Sequence, residues 1–264
     1  LGSQGVRFLA ASPDEAALLD GAAKSGWVCV ERGYERVVVR VHGTERRYLV
    51  LAQNDFSAAR KRMSVLLREL GEDGSPGRYV LCCKGADDVM LETVCDGDKD
   101  GGGAEDWDRE AGGVGNGPAH GKLTPARRAR AQTLDQLRAF ASAGLRTLCL
   151  AIRYLDPGAA EAWLAKYRAA SVAPEDREEA LANVAAAVEE SMRLVGVTAI
   201  EDRLQPGVPQ AISALRHAGI SFWMLTGDKM ETAINVATAA RLLSRDNPVL
   251  VVSDGYGGGG AGGR

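Results

Sequence analysis

The sequence predicts an α/β chain of α+β organisation, in which an antiparallel-sheet domain with flanking helices precedes an incomplete parallel-sheet domain. Three observations carry this. Residues 27–83 are filled with short β-branched and aromatic runs separated by Gly, Asn, Asp and Pro, which read as a meander of hairpins. After Arg193 strand-like runs alternate with helical runs of about ten or more residues, the grammar of parallel strands joined by right-handed crossovers. Residues 97–121 are mostly Gly, Asp, Glu and Ala, too poor in apolar residues to offset their ordering entropy, and are expected to be a disordered surface insertion. The expected limits are therefore 1–193 for the first domain, 194–253 for the partial second domain and 254–264 for a Gly-rich tail.

Each element has a local reason. Ser12-Pro-Asp-Glu15 and the Ala/Leu-rich run after it predict a helix to Ser25, with Ser12 as N-cap, Pro13 in the first turn and Glu15 closing a capping box. Strands are predicted at Trp27–Val30, Tyr34–Val41, Arg46–Ala52, Met63–Leu70 and Arg78–Cys83. Thr124-Pro125 opens a helix to about Ala143, and Leu145–Arg153 returns as a strand. Helices follow over Ala159–Ala169 and Pro174–Met192. The second domain then reads as strand Leu194–Ile200, helix Val208–His217, strand Ile220–Leu225, helix Met230–Leu243 and strand Val249–Val252.

Composition excludes several classes. The 264 residues, 45% hydrophobic and 25% charged, suit one large or two modest globular domains. A net charge of -3 without a basic stripe argues against a nucleic-acid partner. The five cysteines, Cys29, Cys82, Cys83, Cys95 and Cys149, show no metal-ligand spacing and read as reduced, buried thiols of a cytosolic compartment. His42, His120 and His217 share no ligand spacing either. No apolar run approaches the roughly 18–20 residues of a membrane span, and no signal-peptide pattern opens the chain, so the expectation is a water-soluble piece. Leu1 and the Gly-rich end from Gly255 suggest a piece cut from a longer protein.

The strand Ile220–Leu225 runs into Thr226-Gly227-Asp228-Lys229 and then a helix, which places that turn at the carboxyl edge of a parallel sheet, where such sheets hold ligands. Backbone amides and the helix N-terminus could meet an anion there. Spacing alone is equally served by an ordinary turn in which Thr226 or Asp228 caps the helix. Two decoys are declined. Asp96–Trp107 begins like a calcium loop but has Trp where a bidentate Glu is required, and Gly117–Lys122 has a misplaced first glycine and no preceding strand for a phosphate loop.

Six motifs in order carry a resemblance. Ser12-Pro-Asp-Glu-Ala-Ala-Leu18, Phe56 with Arg60-Lys-Arg-Met-Ser64, Cys83-Lys-Gly-Ala-Asp87 and Gly144-Leu-Arg-Thr-Leu-Cys149 are joined downstream by Ile200-Glu-Asp-Arg-Leu-Gln205 and Trp223-Met-Leu-Thr-Gly-Asp-Lys229, the last followed by Glu231-Thr-Ala-Ile-Asn235. Over residues 12–243 these resemble the type IV P-type ATPases, the phospholipid flippases. The resemblance implies most of a nucleotide-binding domain and part of a haloacid-dehalogenase-like phosphorylation domain. It also implies an ATP site. Phe56 would stack on adenine, Lys84 would supply a cation, Arg146 a guanidinium fork for phosphates and Glu15 a carboxylate against the nucleotide, while Thr226, Gly227 and Asp228 would line the approach of the γ-phosphate.

The family's Asp-Lys-Thr-Gly-Thr and Gly-Asp-Gly-Xaa-Asn-Asp motifs do not occur in the sequence. The resemblance therefore implies ATP binding without turnover by this piece, with no catalytic residue and no metal ligand assigned within it, and with Mg²⁺ held mostly by residues elsewhere. In the parent, a multi-pass membrane protein with this segment on the cytoplasmic side, an aspartyl-phosphate would couple ATP hydrolysis to phospholipid translocation, with room for an accessory subunit as a partner. Two other readings stand beside it: a non-catalytic nucleotide-binding or regulatory module, and a soluble haloacid-dehalogenase-type phosphatase.

Overall fold

A computed structural model describes residue 10 and residues 12–95, 125–201, 204–227, 230–243 and 248–252. The insertion expected at 97–121, both decoy loops, Asp228 and the tail 254–264 lie outside the described residues. The chain divides into two compact units, Leu1–Phe140 with Thr147–Ile200, and Ala141–Arg146 with Glu201–Arg264.

The first unit is built on a seven-stranded sheet in sequence order: β1 (Trp27–Arg32), β2 (Arg36–Val41), β3 (Thr44–Asn54), β4 (Arg62–Leu70), β5 (Pro76–Gly85), β6 (Arg146–Leu155) and β7 (Arg193–Ile200). From β1 to β6 each neighbouring pair is antiparallel, as the meander requires. The β2–β3 turn shows why the chain reverses where it does. His42 and Gly43 both adopt positive φ, 46° and 96°, the handedness that matches a two-residue hairpin to the twist of its strands. Helices α1 (Pro13–Lys24), α2 (Asp87–Thr93), α3 (Pro125–Ser142), α4 (Pro157–Ser171) and α5 (Arg177–Val188) flank this sheet. Of these, α2 was not predicted; its seven residues are too few to show a helical period.

Alternation along the strands sorts the side chains. Leu66, Leu81, Cys83, Cys149 and Ala151 face a core completed by Met90, Trp163, Leu164, Val188 and Met192. Trp163 stacks on Tyr167 at 5.3 Å and donates its indole N–H to the Val184 carbonyl at 2.8 Å, which locks α4 to α5. The residues between those core positions, Met63, Val65, Cys82, Lys84, Leu150 and Ile152, point to the opposite face and are only half-buried. Helix α1 contacts both β1 and β7. Its Ser12 hydroxyl accepts from the Glu15 N–H at 3.2 Å, so the predicted N-cap is present.

One strand changes sheet relative to the sequence reading. Residues 194–200 were expected to open the parallel domain, but they form most of β7, next to β6, with the Thr198 hydroxyl donating to the Leu148 carbonyl at 3.4 Å. An apolar strand carries no mark of which sheet receives it; tertiary pairing decides.

In the second unit, α6 (Val208–His217) and α7 (Met230–Ala239) form where the helical period predicts them. The strands expected at Ile220–Leu225 and Val249–Val252 have no ladder partner among the described residues. Extended backbone without a neighbour leaves its N–H and C=O groups to solvent, so the segments remain irregular and Trp223 and Leu225 stand 88% and 94% exposed.

Candidate functional site

The paired ends of β4 and β5 create the site. Register sets Met63 opposite Lys84 and Arg62 opposite Gly85. A Cβ on Gly85 would lie 2.5 Å from the Arg62 Cβ and 2.9 Å from the Lys61 carbonyl oxygen, so only glycine lets the strands close here. That closeness allows the Ala86 N–H to donate to the Lys61 carbonyl at 3.0 Å. The connection from Asp55 to Lys61, which carries Phe56, is thereby tied to the residues just after Lys84.

On the open sheet face lies a cavity of about 330 Å³, lined among others by Met63, Val65, Cys82, Lys84, Ile152 and Val195. Burial pushes the Cys82 thiol up to about 11. Burial does the same to Cys83 on the core side, with help from the nearby Glu189 carboxylate, up to about 12. Both thiols are therefore neutral at ordinary pH, and Cys82 contributes apolar surface to the cavity. The Lys84 ammonium is the cavity's cation, and it ion-pairs with the Glu15 carboxylate of α1. The pair is partly exposed and adds at most about 1 kcal/mol to stability; its consequence is orientation.

A buried ionic cluster sits behind the Phe56 connection. Glu189, only 1% exposed, accepts from the Arg60 guanidinium through both carboxylate oxygens at 2.7 and 2.9 Å. It also accepts from Arg62 Nε at 2.6 Å and from the Ser64 hydroxyl at 2.6 Å. Glu189 is the C-cap residue of α5, its backbone N–H donating to the Ala185 carbonyl at 3.1 Å, so its carboxylate sits at a helix end whose dipole opposes a negative charge. Two guanidinium groups are what make that position tenable.

The structure thus brings Glu15 and Lys84 into contact and leaves Phe56 65% exposed on a neighbouring connection. Arg146 is the half-buried first residue of β6. Its motif's glycine, Gly144, has φ 72°, and a side chain there would collide with the Asn235 amide. Thr226 and Gly227 are exposed at the end of the irregular segment before α7. A larger cavity of about 700 Å³ lies in the second unit against Ile220, Phe222, Met224, Ile234 and Leu242. Its lining mixes these apolar side chains with Ser221 and Arg216, and the Arg216 guanidinium donates to the carbonyls of Arg241 and Leu242.

Sequence reasoning missed the cavity floor and Glu189. Period-two alternation around Cys82 could have found the former. No local pattern marks Glu189, which lies 129 residues from Arg60.

This arrangement coincides with a family match. The model of the P-type ATPase cytoplasmic domain N matches residues 3–100 and 118–207. The chain belongs to the P-type ATPases. The relatives it matches are phospholipid-transporting ATPases. It is 40% identical over 90% of its length to phospholipid-transporting ATPase dnf2 of Schizosaccharomyces pombe. Identity is 38% over 94% to phospholipid-transporting ATPase DRS2 of Saccharomyces cerevisiae, and 39% over 94% to phospholipid-transporting ATPase 1 of Arabidopsis thaliana. The chain spans 15%, 16% and 19% of those three proteins respectively. The antiparallel sheet with flanking helices is the domain N part of this P-type ATPase. Among the described residues no helix is long and apolar enough to cross a membrane.

Proposed function

We propose that the first unit binds ATP on the open face of its sheet, as the nucleotide-binding part of a flippase. The observation that carries this is the apolar cavity of about 330 Å³ with Lys84 and Glu15 paired at its edge and the Phe56 connection bonded beside it. Its volume lies at the lower end of the roughly 300–1,000 Å³ range of small-molecule sites, and its make-up is an apolar floor with one charged residue, Lys84, in the lining. Phe56 stacks on adenine, Lys84 meets the polar end of the nucleotide, Arg146 grips phosphate oxygens as a planar fork, and Glu15 keeps Lys84 aimed.

The division of labour along the chain is part of the proposal. With β7 in the first sheet, the nucleotide-binding part runs to residue 200, and 201–253 belong to a haloacid-dehalogenase-like phosphorylation domain, with 254–264 as a tail. Thr226, Gly227 and Asp228 line the approach of the γ-phosphate. Mg²⁺ is held mostly by residues outside this chain. In the whole protein, ATP hydrolysis through an aspartyl-phosphate drives a phospholipid across the membrane, with this chain on the cytoplasmic side and with the remaining parts meeting the lipid and any accessory subunit.

Titration of the 264-residue chain with ATP and AMP, by NMR or calorimetry, tests the site. Binding near millimolar, about 4 kcal/mol, is expected. Phe56→Ala should cost at least about 1 kcal/mol for both nucleotides, because a ring sees only the base. Arg146→Ala should weaken ATP more than AMP. No response at several millimolar ATP, or unfolding by Phe56→Ala, refutes the assignment.

A further inference from the structure

We infer that Arg60, held by the buried Glu189, is a positioning residue that sets the Phe56 ring in place; the inference rests on the reading that Phe56 meets the base. Phe56 is mostly exposed and sits on a connection, so contact with neighbours does not fix it. The connection is fixed from behind. Arg60 Nη1 is clamped on both oxygens of Glu189, and its other amino group, Nη2, donates to the carbonyl of Asp55, the residue before Phe56. On the other side of the ring the Arg60 N–H donates to the Ser57 hydroxyl at 3.2 Å, and the Lys61 N–H to the Ser57 carbonyl at 2.7 Å. One residue therefore holds the chain immediately before and after Phe56.

The geometry makes this directional. A guanidinium is a rigid plane, so fixing Nη1 on an immobile carboxylate fixes where Nη2 points. Glu189 is immobile because Arg62 and Ser64 hold it too, and Ser64 is itself held by the Asn54 amide at 2.9 Å. The Phe56 connection is thus indexed to the end of α5, not only to its own strands. An aromatic group set before binding loses less freedom on meeting its partner, and affinity rises without a new contact. Arg62 supplies the internal control. It meets the same carboxylate at comparable burial, from β4.

The test compares Arg60→Lys with Arg62→Lys in the 264-residue chain, alone and combined with Phe56→Ala, titrated with AMP and with inorganic tripolyphosphate. Lysine keeps the charge but cannot span Glu189 and the Asp55 carbonyl together. Arg60→Lys is expected to weaken AMP at least about fivefold while leaving tripolyphosphate within about twofold. In the Phe56→Ala background the same substitution should change AMP by less than about twofold, because its effect passes through the ring. Ser57→Ala, which touches only the connection and leaves the buried cluster whole, should weaken AMP in the same direction and guards against a variant that fails to fold. The inference is overturned if Arg60→Lys weakens AMP no more than Arg62→Lys, or if its deficit persists undiminished in the Phe56→Ala background. It is overturned equally if Arg60→Lys unfolds the chain and Ser57→Ala binds AMP normally. Wild-type chain that binds no AMP, or binds it no better than Phe56→Ala, overturns the nucleotide reading as well.

Discussion

Glu189→Ala is expected to be among the most destabilising single substitutions in the first unit. The arithmetic follows from what surrounds the carboxylate. Arg60 and Arg62, with side chains 11% and 12% exposed, would lose their buried counter-charge, and the Ser64 hydroxyl would lose its acceptor. Breaking a buried pair by removing one partner costs about 3–5 kcal/mol. Against a total stability of about 5–15 kcal/mol, that is at least about a fifth of the margin. At a urea slope of about 2 kcal/mol/M, the unfolding midpoint should fall by roughly 1.5–2.5 M. Glu189→Gln keeps the volume but turns an amide N–H toward guanidinium N–H groups, so most of the loss should remain. Replacing Arg60, Arg62 and Glu189 together by Met should recover much of it, since apolar groups of similar volume replace buried ion pairs at little net cost. Equilibrium urea unfolding followed by circular dichroism reads all three. A loss under about 1 kcal/mol for Glu189→Ala would show that the cluster is solvated in solution and that the reasoning from burial fails.

Gly85→Ala should destabilise by about 1–3 kcal/mol, because the new methyl must displace the Arg62 Cβ or the Lys61 carbonyl; an unchanged thermal midpoint would refute the close approach. Cys82 and Cys83 should resist iodoacetamide at pH 8.5 in the folded chain and react readily in urea, since both thiols are held protonated. Their folded values, about 11 and about 12, lie above the ordinary 9.0, so above pH 9 the unfolded chain binds fewer protons. The stability this gives is complete below pH 9 and is lost as pH rises through 11 to 12. A Cys82→Ala/Cys83→Ala chain should lose less stability over that window, and parallel decline of the two would refute the cause.

Legibility in the sequence followed the range of the interactions. The meander from Trp27 to Gly85 was readable because hairpins are local: turn residues such as His42-Gly43 and period-two alternation lie within ten residues of each other. The α1 N-cap was readable for the same reason, the Ser12 hydroxyl accepting from the Glu15 N–H, whereas the Glu15 carboxylate does not close the expected capping box because it pairs with Lys84. The destination of residues 194–200 was not, because β7 joins a sheet whose other strands lie far upstream. At the candidate site, Lys84, Glu15 and Phe56 were visible only as motif members, and no spacing rule told that Glu15 would leave its capping role to meet Lys84 across 69 residues. Glu189 was invisible altogether, being one glutamate of a polar helix end until the fold carries it to Arg60.

The two faces of the first sheet bear differently on the proposed nucleotide site. Helices α4 and α5 cover the core face, where Leu66, Leu81 and Ala151 are buried. A sheet covered on one side usually presents polar side chains to water on the other. Here the open face instead carries Met63, Val65, Cys82, Leu150, Ile152 and Val195, with Val195 57% exposed. Leaving such surface wet forgoes about 25 cal/mol for each Å² that could be covered. A second helix layer would recover that energy but would seal the cavity. The charged pair Lys84–Glu15 at its edge also constrains the occupant, because a wholly apolar cover would have to desolvate an ammonium and a carboxylate. An occupant with a flat apolar ring at one end and negative charge at the other covers the floor and offers Lys84 a second partner. A nucleotide has that combination, so the burial pattern of four strands supports the proposed occupant independently of the motifs.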